Sequence, residues 1–326
     1  MNPPPTRRIL SGVQPSGKLH LGNYFGAIKQ HIALQSDGRS FYFLADYHSM
    51  TTVQDAKLRR QLTLDAAMDY IALGLDPRKA IFFRQSDVPE VCELAWVLGT
   101  VINMGLLERA HSYKDKLAKG FEASVGLFTY PILMAADILI YRSNVVPVGE
   151  DQVQHIEITR DIAEKFNRIY GEVFPLPDHR LEEGAKVPGV DGQKMSKSYG
   201  NTIEIFAEGK PLKKSVMGIV TDSTPVEAPK NPENCTVFTL YKLFATADEQ
   251  QELATRYRAG GMGYGEAKTM LLGKIDGCFA PFREKRKQLA SSPADVEEIL
   301  REGAKKARTE ARATMELVRA ATGIGS

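Results

Sequence analysis

Two short segments of this chain combine glycine with lysine or histidine, a composition suited to binding phosphate. The first is SGVQPSGKLHLGN, residues 11–23, which contains the G-x-x-x-x-G-K spacing of a P-loop. A P-loop needs Ser or Thr after the lysine to hold Mg²⁺, but Leu19 occupies that position, and Pro15 removes one backbone N–H donor. The segment therefore predicts either an anion site at a helix N-terminus or a structural strand-to-helix turn.

The second segment, GQKMSKSYGN at residues 192–201, is flanked by glycine and contains two lysines three residues apart. The ammonium groups of Lys194 and Lys197 could neutralise the charge that develops on a departing pyrophosphate. A solvated basic turn would have the same pattern. The two segments must therefore be interpreted together.

A single carboxylate interrupts the longest apolar run of the sequence. Asp137 lies within LFTYPILMAADILIY, residues 127–141. A buried carboxylate without a partner costs several kcal/mol of desolvation. Either a backbone N–H, an arginine or a ligand with a donor group must therefore pair with it.

An alternation of strands and helices must position these segments. Apolar strand patterns alternate with helical ones, which predicts a parallel sheet covered by helices, with Asn23 as a helix N-cap. The predicted strands are residues 8–13, 40–48, 80–85 and 144–152. Beyond about residue 205 only helical patterns occur, with long helices near 264–290 and 292–321. We therefore predict an α/β, Rossmann-like catalytic domain at 1–204, with a helical insertion at about 89–123, and an all-helical domain at 205–326.

The composition excludes several classes of protein. The 42 basic and 40 acidic residues of the chain leave a formal net charge of +2, so any contact with nucleic acid must come from local patches of basic residues. The apolar run carries a charge and is too short to cross a bilayer, and no signal peptide is expected. Cys92, Cys235 and Cys278 are scattered, which favours neither a disulfide framework nor a metal site. We expect a cytoplasmic protein with no membrane partner and no metal held by side chains.

Together, the two phosphate-site segments resemble the HIGH and KMSKS signatures of class I aminoacyl-tRNA synthetases. Residues 20–23, His-Leu-Gly-Asn, match the first with Asn in place of the final His, and residues 194–198 match the second unchanged. The resemblance is closest to the bacterial tryptophanyl branch, because residues 11–23, 129–139, 146–167 and 194–198 occur in its order and at its spacing. It extends from Ile9 to the C-terminal helices.

This resemblance implies a fold, an activity and partners. The fold is a Rossmann-like catalytic domain followed by an all-helical anticodon-binding domain. The activity is that of a tryptophan–tRNA ligase, which uses ATP with Mg²⁺ to form tryptophanyl-adenylate and pyrophosphate, then transfers tryptophan to the terminal adenosine of tRNA(Trp). The implied assembly is a homodimer. We expect His20, Lys194 and Lys197 to be the catalytic residues.

The resemblance also implies two binding sites. The ATP site would be lined by Gln14, Pro15, Ser16, Gly22, Asn23, Gly149, Glu150, Asp151, Val190, Lys194, Met195, Ser196, Lys197 and Ser198. In the tryptophan site, the Asp137 carboxylate would accept the indole N–H, a donor without acceptor capacity. Its apolar walls would be Leu10, Gly12, Tyr130, Met134, Val146 and Val148, with His48 and Gln152 near the amino-acid head group. Each wall residue could instead belong to the core, and the acids at 150–151 could simply decorate a helix N-terminus.

Other functions are compatible with parts of the pattern. The tyrosyl enzyme shares the fold, a P-loop kinase is opposed by Leu19, and a non-catalytic RNA-binding relative should have lost Lys194 or Lys197. Two further groups of cations could contact phosphate or tRNA. They are Lys114 and Lys116 in the insertion, and Lys305, Arg308, Arg312 and Arg319 in the last helix.

Overall fold

The computed structural model describes residues 7–109, 124–181 and 186–325. Within these ranges the strands form one parallel sheet in the order β3-β2-β1-β4-β5. The strands are β1 (Arg8–Val13), β2 (Arg39–Leu44), β3 (Ala80–Arg84), β4 (Val145–Val148) and β5 (Asp178–Leu181). This order is that of a Rossmann-like sheet, so the predicted fold class is confirmed.

Helices make up most of the remaining described chain. The first, α1, spans residues 21–33 and contains a π-helical segment at Tyr24–Ile28. The others are α2 (Asp46–Ser49), α3 (Ala56–Ala72), α4 (Glu90–Gly99), α5 (Met104–Glu108), α6 (Val125–Ile140), α7 (Val153–Tyr170), α8 (Gly209–Met217), α9 (Thr236–Lys242), α10 (Ala247–Ala259), α11 (Tyr264–Ser291) and α12 (Pro293–Thr322). None of the described helices is long and apolar enough to cross a membrane.

Two predicted strands are too long at their carboxyl ends. The first stops at Leu44, because Asp46 begins α2 and its carboxylate accepts hydrogen bonds from the backbone N–H and hydroxyl of Ser86. The strand predicted over 144–152 stops at Val148 and is followed by a 3₁₀ turn. The exposed strand β5, DHRL, was not predicted because it lacks apolar alternation.

The chain divides into two compact units. The sheet unit comprises Met1–Gly17, His31–Glu182 and Ser292–Ser326, and the helical unit comprises Lys18–Gln30 and Glu183–Ser291. This division differs from the single boundary near residue 204 that the sequence suggested. The last helix belongs to the sheet unit, and the segment with His20 belongs to the helical unit.

Packing explains why α12 belongs to the sheet unit. Its apolar residues, among them Ala307, Ala311 and Met315, are part of the same buried core as Phe41 of the sheet. Gly303 of α12 lies so close to β3 that a Cβ atom there would overlap the carbonyl oxygen of Phe82. The helix therefore covers the edge strand of the sheet, which would otherwise be open.

The helical unit has a core of its own. Leu271, Ile275 and Phe279 of α11 are fully buried in it. Aromatic contacts anchor the segment that begins with His20, since the Tyr24 and Phe279 rings lie 5.1 Å apart and meet edge to face.

The predicted helical insertion is seen as α4 and α5. The remainder of it, 110–123, which includes Lys114 and Lys116, lies outside the described residues.

Candidate functional site

Polar residues of the sheet unit collect where its parallel strands end. Gln14 follows β1, His48 lies on α2 after β2, Gln85 follows β3, and Gly149 follows β4. The carboxyl ends of parallel strands meet at one edge, which is where open α/β sheets bind ligands. The sheet unit therefore presents these four residues along a single edge, and three of them, Gln14, His48 and Gly149, were predicted to belong to the site.

The centre of this edge is a buried carboxylate held by two side chains. Asp137 of α6 is only 3% exposed. The Nε2 of His48 lies 2.9 Å from its Oδ2, and the Nε2 of Gln85 donates to both Oδ1 and Oδ2 at 2.9 Å. Burial raises the pKa of Asp137, and the bonds from His48 and Gln85 oppose that rise. The cluster stabilises an acceptor in an apolar setting.

The partners of Asp137 differ from those that the alternative interpretation named. Among the described residues, its carboxylate is hydrogen-bonded to His48 and Gln85 rather than to a backbone N–H or an arginine. The predicted place of His48 near the amino-acid head group stays a prediction. Gln85 was missed altogether. Its only sequence signal is a polar residue directly after the apolar strand AIFF and Arg84, at the end of a strand facing the site.

Three of the predicted apolar wall residues lie in the core. Leu10, Val146 and Val148 are buried members of the hydrophobic cluster of the sheet unit, as the alternative interpretation allowed. Met134 is half-buried and packs against the same cluster. Gly12 is exposed at the end of β1. These five positions therefore range from core to the exposed end of a strand.

The remaining residues predicted for the tryptophan site include Tyr130 on α6 and Gln152 after β4. The hydroxyl of Tyr130 lies 3.1 Å from the Nε2 of His155, and its ring lies 6.5 Å from that of His48. Gln152 ends the 3₁₀ turn that follows Gly149. The structure thus places Tyr130 near His48, which contacts the Asp137 carboxylate, and His155 of α7 pairs with the Tyr130 hydroxyl.

The residues of the sheet unit assigned to ATP lie in two loops. Pro15 is buried, whereas Gln14 and Ser16 on either side of it are exposed, and Gln14 Nε2 lies 3.4 Å from the Thr52 hydroxyl. The second loop is Gly149 to Asp151, in which Glu150 is exposed. Both loops follow strands at the carboxyl edge, as predicted.

The other predicted site residues belong to the helical unit, where the two signatures meet. The first signature is held by backbone pairing, since Leu21 N–H donates to the Ile203 carbonyl and Ile205 N–H to the Leu19 carbonyl. The helix N-cap is His20, so the prediction of Asn23 was wrong. The side chain of Asn23 reaches back instead, and its Oδ1 accepts the His20 backbone N–H at 3.2 Å.

The His20 side chain is buried and neutral. It is 5% exposed, and its Nδ1 has no hydrogen-bond partner within the described part of the chain. Burial and the nearby Lys197 ammonium lower the pKa of His20 to about 4. At neutral pH the imidazole therefore acts as a hydrogen-bonding group rather than a cation.

The second signature is a loop fixed at its buried residue and exposed at its lysines. Met195 is buried, and its Sδ accepts the Gly22 N–H at 3.4 Å, which links the two signatures. Lys194, Lys197 and Ser198 are exposed. Ser196 is half-buried, and its hydroxyl accepts the Ser198 N–H at 3.3 Å.

A buried asparagine that the sequence interpretation missed organises this loop. Asn201 Oδ1 accepts the Ser196 N–H at 2.8 Å, and its Nδ2 donates to the Lys194 carbonyl at 3.1 Å and to Asp191 Oδ1 at 2.8 Å. Its backbone carbonyl accepts the Val190 N–H. Asn201 therefore shapes the backbone that presents both lysines.

Cations of the last helix are engaged within the sheet unit. Arg308 forms a two-pronged contact with Glu90 of α4, where Arg312 also donates, and Arg319 pairs with Glu93. Lys305 pairs with a glutamate one turn earlier on its own helix. Contact of these four cations with tRNA stays a prediction, and such contact would compete with these ion pairs. Among the described residues, no three His, Cys, Asp or Glu side chains cluster in a way that could hold a metal.

Comparison with known proteins decides the family. A sequence profile of the "tRNA synthetases class I (W and Y)" matches residues 4–280, most of the chain. The chain belongs to this family. It is therefore an aminoacyl-tRNA synthetase, and the predicted class is confirmed.

Several relatives of this synthetase are similar over nearly their whole length. A protein named tryptophan–tRNA ligase from Rhodopirellula baltica is 54% identical over 318 residues, which cover 97% of this chain and 99% of the relative. One of the same name from Fusobacterium nucleatum is 56% identical over 305 residues, covering 93% and 94%. The tryptophanyl-tRNA synthetase of Campylobacter jejuni, complexed with ADP and tryptophan, superposes with a TM-score of 0.94 at 52% identity, covering 97% of this chain and 100% of that one.

Proposed function

We propose that this synthetase activates L-tryptophan with ATP, forming tryptophanyl-adenylate and pyrophosphate, and then charges tRNA(Trp). The observation that carries the proposal is the buried Asp137 carboxylate, held by His48 and Gln85 at the carboxyl edge of the sheet. Relatives named tryptophan–tRNA ligase at 54% and 56% identity support it.

Asp137 provides the basis for selecting tryptophan. The indole N–H is the single polar group of that side chain and can only donate, whereas an ionised carboxylate can only accept. Met134 lies one helical turn before Asp137 and would limit the depth of the pocket. A tyrosine hydroxyl would present its donor at another depth, and such a polar mismatch can discriminate by about 10⁴-fold or more.

Formation of the adenylate needs alignment and charge neutralisation rather than an enzyme nucleophile. The tryptophan carboxylate attacks the α-phosphorus of ATP, the bond to the bridging oxygen breaks, and pyrophosphate leaves. Lys194 and Lys197 are exposed on a shaped loop, where their ammonium groups would neutralise the leaving group. His20, neutral at pH 7, would donate a hydrogen bond to a phosphate oxygen. Mg²⁺ enters with the substrate as Mg·ATP, bound by phosphate oxygens.

In the second step the terminal ribose hydroxyl of the tRNA attacks the adenylate carbonyl, and AMP leaves. We assign anticodon contact to the predicted helical domain, 205–326. Within it, α8 to α11 are better candidates than α12, because the arginines of α12 are paired with Glu90 and Glu93.

We propose that the active form is a homodimer. Large apolar side chains of the sheet unit are open to solvent, with Trp96 of α4 and Val125 of α6 each 78% exposed and Met104 of α5 62% exposed. We infer that these side chains become buried against the partner subunit, which would remove their apolar surface from water. Light scattering after gel filtration should give twice the chain mass, and Trp96→Glu should give monomers. A monomeric wild-type protein would contradict this assembly. The cytoplasmic location also stays a prediction, which cell fractionation can test.

Amino-acid-dependent exchange of labelled pyrophosphate into ATP tests the proposed activity. Tryptophan should support exchange, and tyrosine should not. Exchange with tyrosine alone would overturn the proposal.

A further inference from the structure

Gln85 is a buried amide whose nitrogen donates to the Asp137 carboxylate and whose oxygen accepts a backbone N–H. It is fully buried at the carboxyl end of β3. Its Nε2 lies 2.9 Å from both oxygens of Asp137, so the amide donates a hydrogen bond that the two carboxylate oxygens share. A donor placed equally between the two oxygens favours one orientation of the carboxylate.

The orientation of this amide is set by the backbone. Its Oε1 accepts the N–H of Tyr47 at 3.1 Å. A rotated amide would place NH₂ against that N–H and its oxygen against the carboxylate, and both contacts would be repulsive. The Tyr47 N–H therefore holds Gln85 with its donors facing Asp137.

One acceptor position of the carboxylate is left over. Asp137 Oδ2 accepts from both His48 and Gln85, whereas Oδ1 accepts only from Gln85 among the described residues. A carboxylate offers about two lone-pair positions on each oxygen. Oδ1 therefore retains one, in a direction that Gln85 determines.

We propose that Gln85 is a positioning residue for amino-acid selection: it orients the Asp137 carboxylate so that the remaining lone pair of Oδ1 accepts the indole N–H of tryptophan. This inference rests on the proposed function. Gln85 does not touch the reacting atoms, so it acts on the KM for tryptophan and leaves kcat nearly unchanged.

Gln85→Met removes both donors while keeping the length of the side chain. The carboxylate can then rotate, and its negative charge loses stabilisation. Loss of one hydrogen bond to a charged group corresponds to about a tenfold rise in KM for tryptophan or more. The KM for ATP should change less than about twofold, since the side-chain hydrogen bonds of Gln85 lead to Tyr47 and Asp137, neither of which is assigned to ATP.

Gln85→Glu adds a second measurement, the pH dependence of the KM for tryptophan, which a purely structural role of Gln85 would not change. The introduced carboxylate would face Asp137, and two carboxylates at this distance share one proton. At low pH the shared proton restores a donor toward Asp137, whereas at high pH the two charges repel. The KM for tryptophan should therefore rise with pH in this variant. The titratable groups around Asp137, shared by wild type and variant, are His48, Asp46, Cys92 and Tyr141.

Gln35 offers a matched control in the same unit. It is also a buried glutamine with both amide ends engaged, since its Nε2 donates to the Gly74 carbonyl at 3.1 Å and its Oε1 accepts the Asp76 N–H at 2.8 Å. Gln35→Met removes the same kind of bonds without touching Asp137. It should leave the KM for tryptophan within about twofold of wild type.

The test is pyrophosphate exchange between pH 6 and pH 8.5 with wild type, Gln85→Met, Gln85→Glu and Gln35→Met, each first checked for folding by thermal melting. The proposal expects a KM for tryptophan raised at least about tenfold in Gln85→Met, and a KM rising with pH only in Gln85→Glu. An unchanged KM in Gln85→Met, an equal rise in both KM values, or a Gln85→Glu profile parallel to wild type would overturn it. Failure of wild type to exchange with tryptophan would instead overturn the proposed function.

Discussion

Replacement of Asp137 by alanine should impair tryptophan recognition selectively. The carboxylate is buried and accepts hydrogen bonds from His48 and Gln85, leaving one acceptor position for the substrate. A hydrogen bond to a charged group contributes about 1.5–3 kcal/mol, so its loss should raise the KM for tryptophan by about 10- to 150-fold. The KM for ATP should stay within about twofold, because Asp137 is not assigned to the nucleotide.

The stability effect of Asp137→Ala can be separated from the binding effect. The variant leaves the Nε2 donors of His48 and Gln85 without their acceptor, at a cost of about 1–3 kcal/mol each. Removal of a buried charge offsets part of that cost. Melting curves recorded first therefore define a temperature at which both proteins are folded.

Pyrophosphate exchange at that temperature, with each substrate varied in turn, gives the two KM values. Asp76→Asn is a suitable control, because Asp76 lies in the same unit and accepts bonds from Arg78, away from Asp137. The control should leave both KM values unchanged. Similar rises of both KM values in Asp137→Ala would refute the role assigned to this carboxylate.

Three further predictions concern the helical unit and the packing of the last helix. His20→Ala should lower kcat about 100-fold, because a neutral imidazole with a pKa of about 4 acts as a hydrogen-bond donor and alanine has none. His20→Asn keeps a neutral donor and should lower kcat less than about tenfold. Equal losses of kcat in pyrophosphate exchange would contradict this role. Burial acts to raise the pKa of Glu90, but its hydrogen bonds with the arginines of α12 outweigh burial and lower that pKa. The ionised Glu90 therefore stabilises the folded protein above about pH 4.5, and this contribution is lost as the pH falls through the lower folded-state pKa. In thermal melts recorded from pH 3 to 6, the Tm of Glu90→Gln should therefore fall less steeply with decreasing pH than the Tm of the wild type. Parallel falls of the two Tm values would contradict this prediction. Gly303→Ala should destabilise the protein by about 3 kcal/mol, because its Cβ would overlap the Phe82 carbonyl; an unchanged Tm would exclude this packing.

The sheet was predictable because its strands carry strong local signals. β1, β2 and β3 are short apolar runs between turn residues, and each lies close to the predicted range. β5 was not predictable, since its exposed polar sequence forms a strand only through pairing with β4. The overlong strand before α2 has a similar cause, because the turn at Asp46 depends on a hydrogen bond to Ser86, distant in sequence.

Candidate site residues were predictable where they form contiguous signatures or where, as at Asp137, a single charge interrupts an apolar run. His20 and Lys197 belong to such signatures, and the structure brings them together in the helical unit. Gln85 and Asn201 act through hydrogen bonds to residues far along the chain or to backbone atoms, and neither leaves a pattern in the sequence. The ion pairs of the α12 arginines were not predictable because their partners, such as Glu90, lie more than 200 residues away.

Comparison of tryptophan with tyrosine in the charging of tRNA(Trp) tests the central claim most directly. With labelled tryptophan and tyrosine supplied separately, the ratio of their kcat/KM values measures how well the Asp137 pocket discriminates. The predicted ratio favours tryptophan by about 10⁴-fold or more. Comparable charging with tyrosine, or charging with tyrosine alone, would contradict the account.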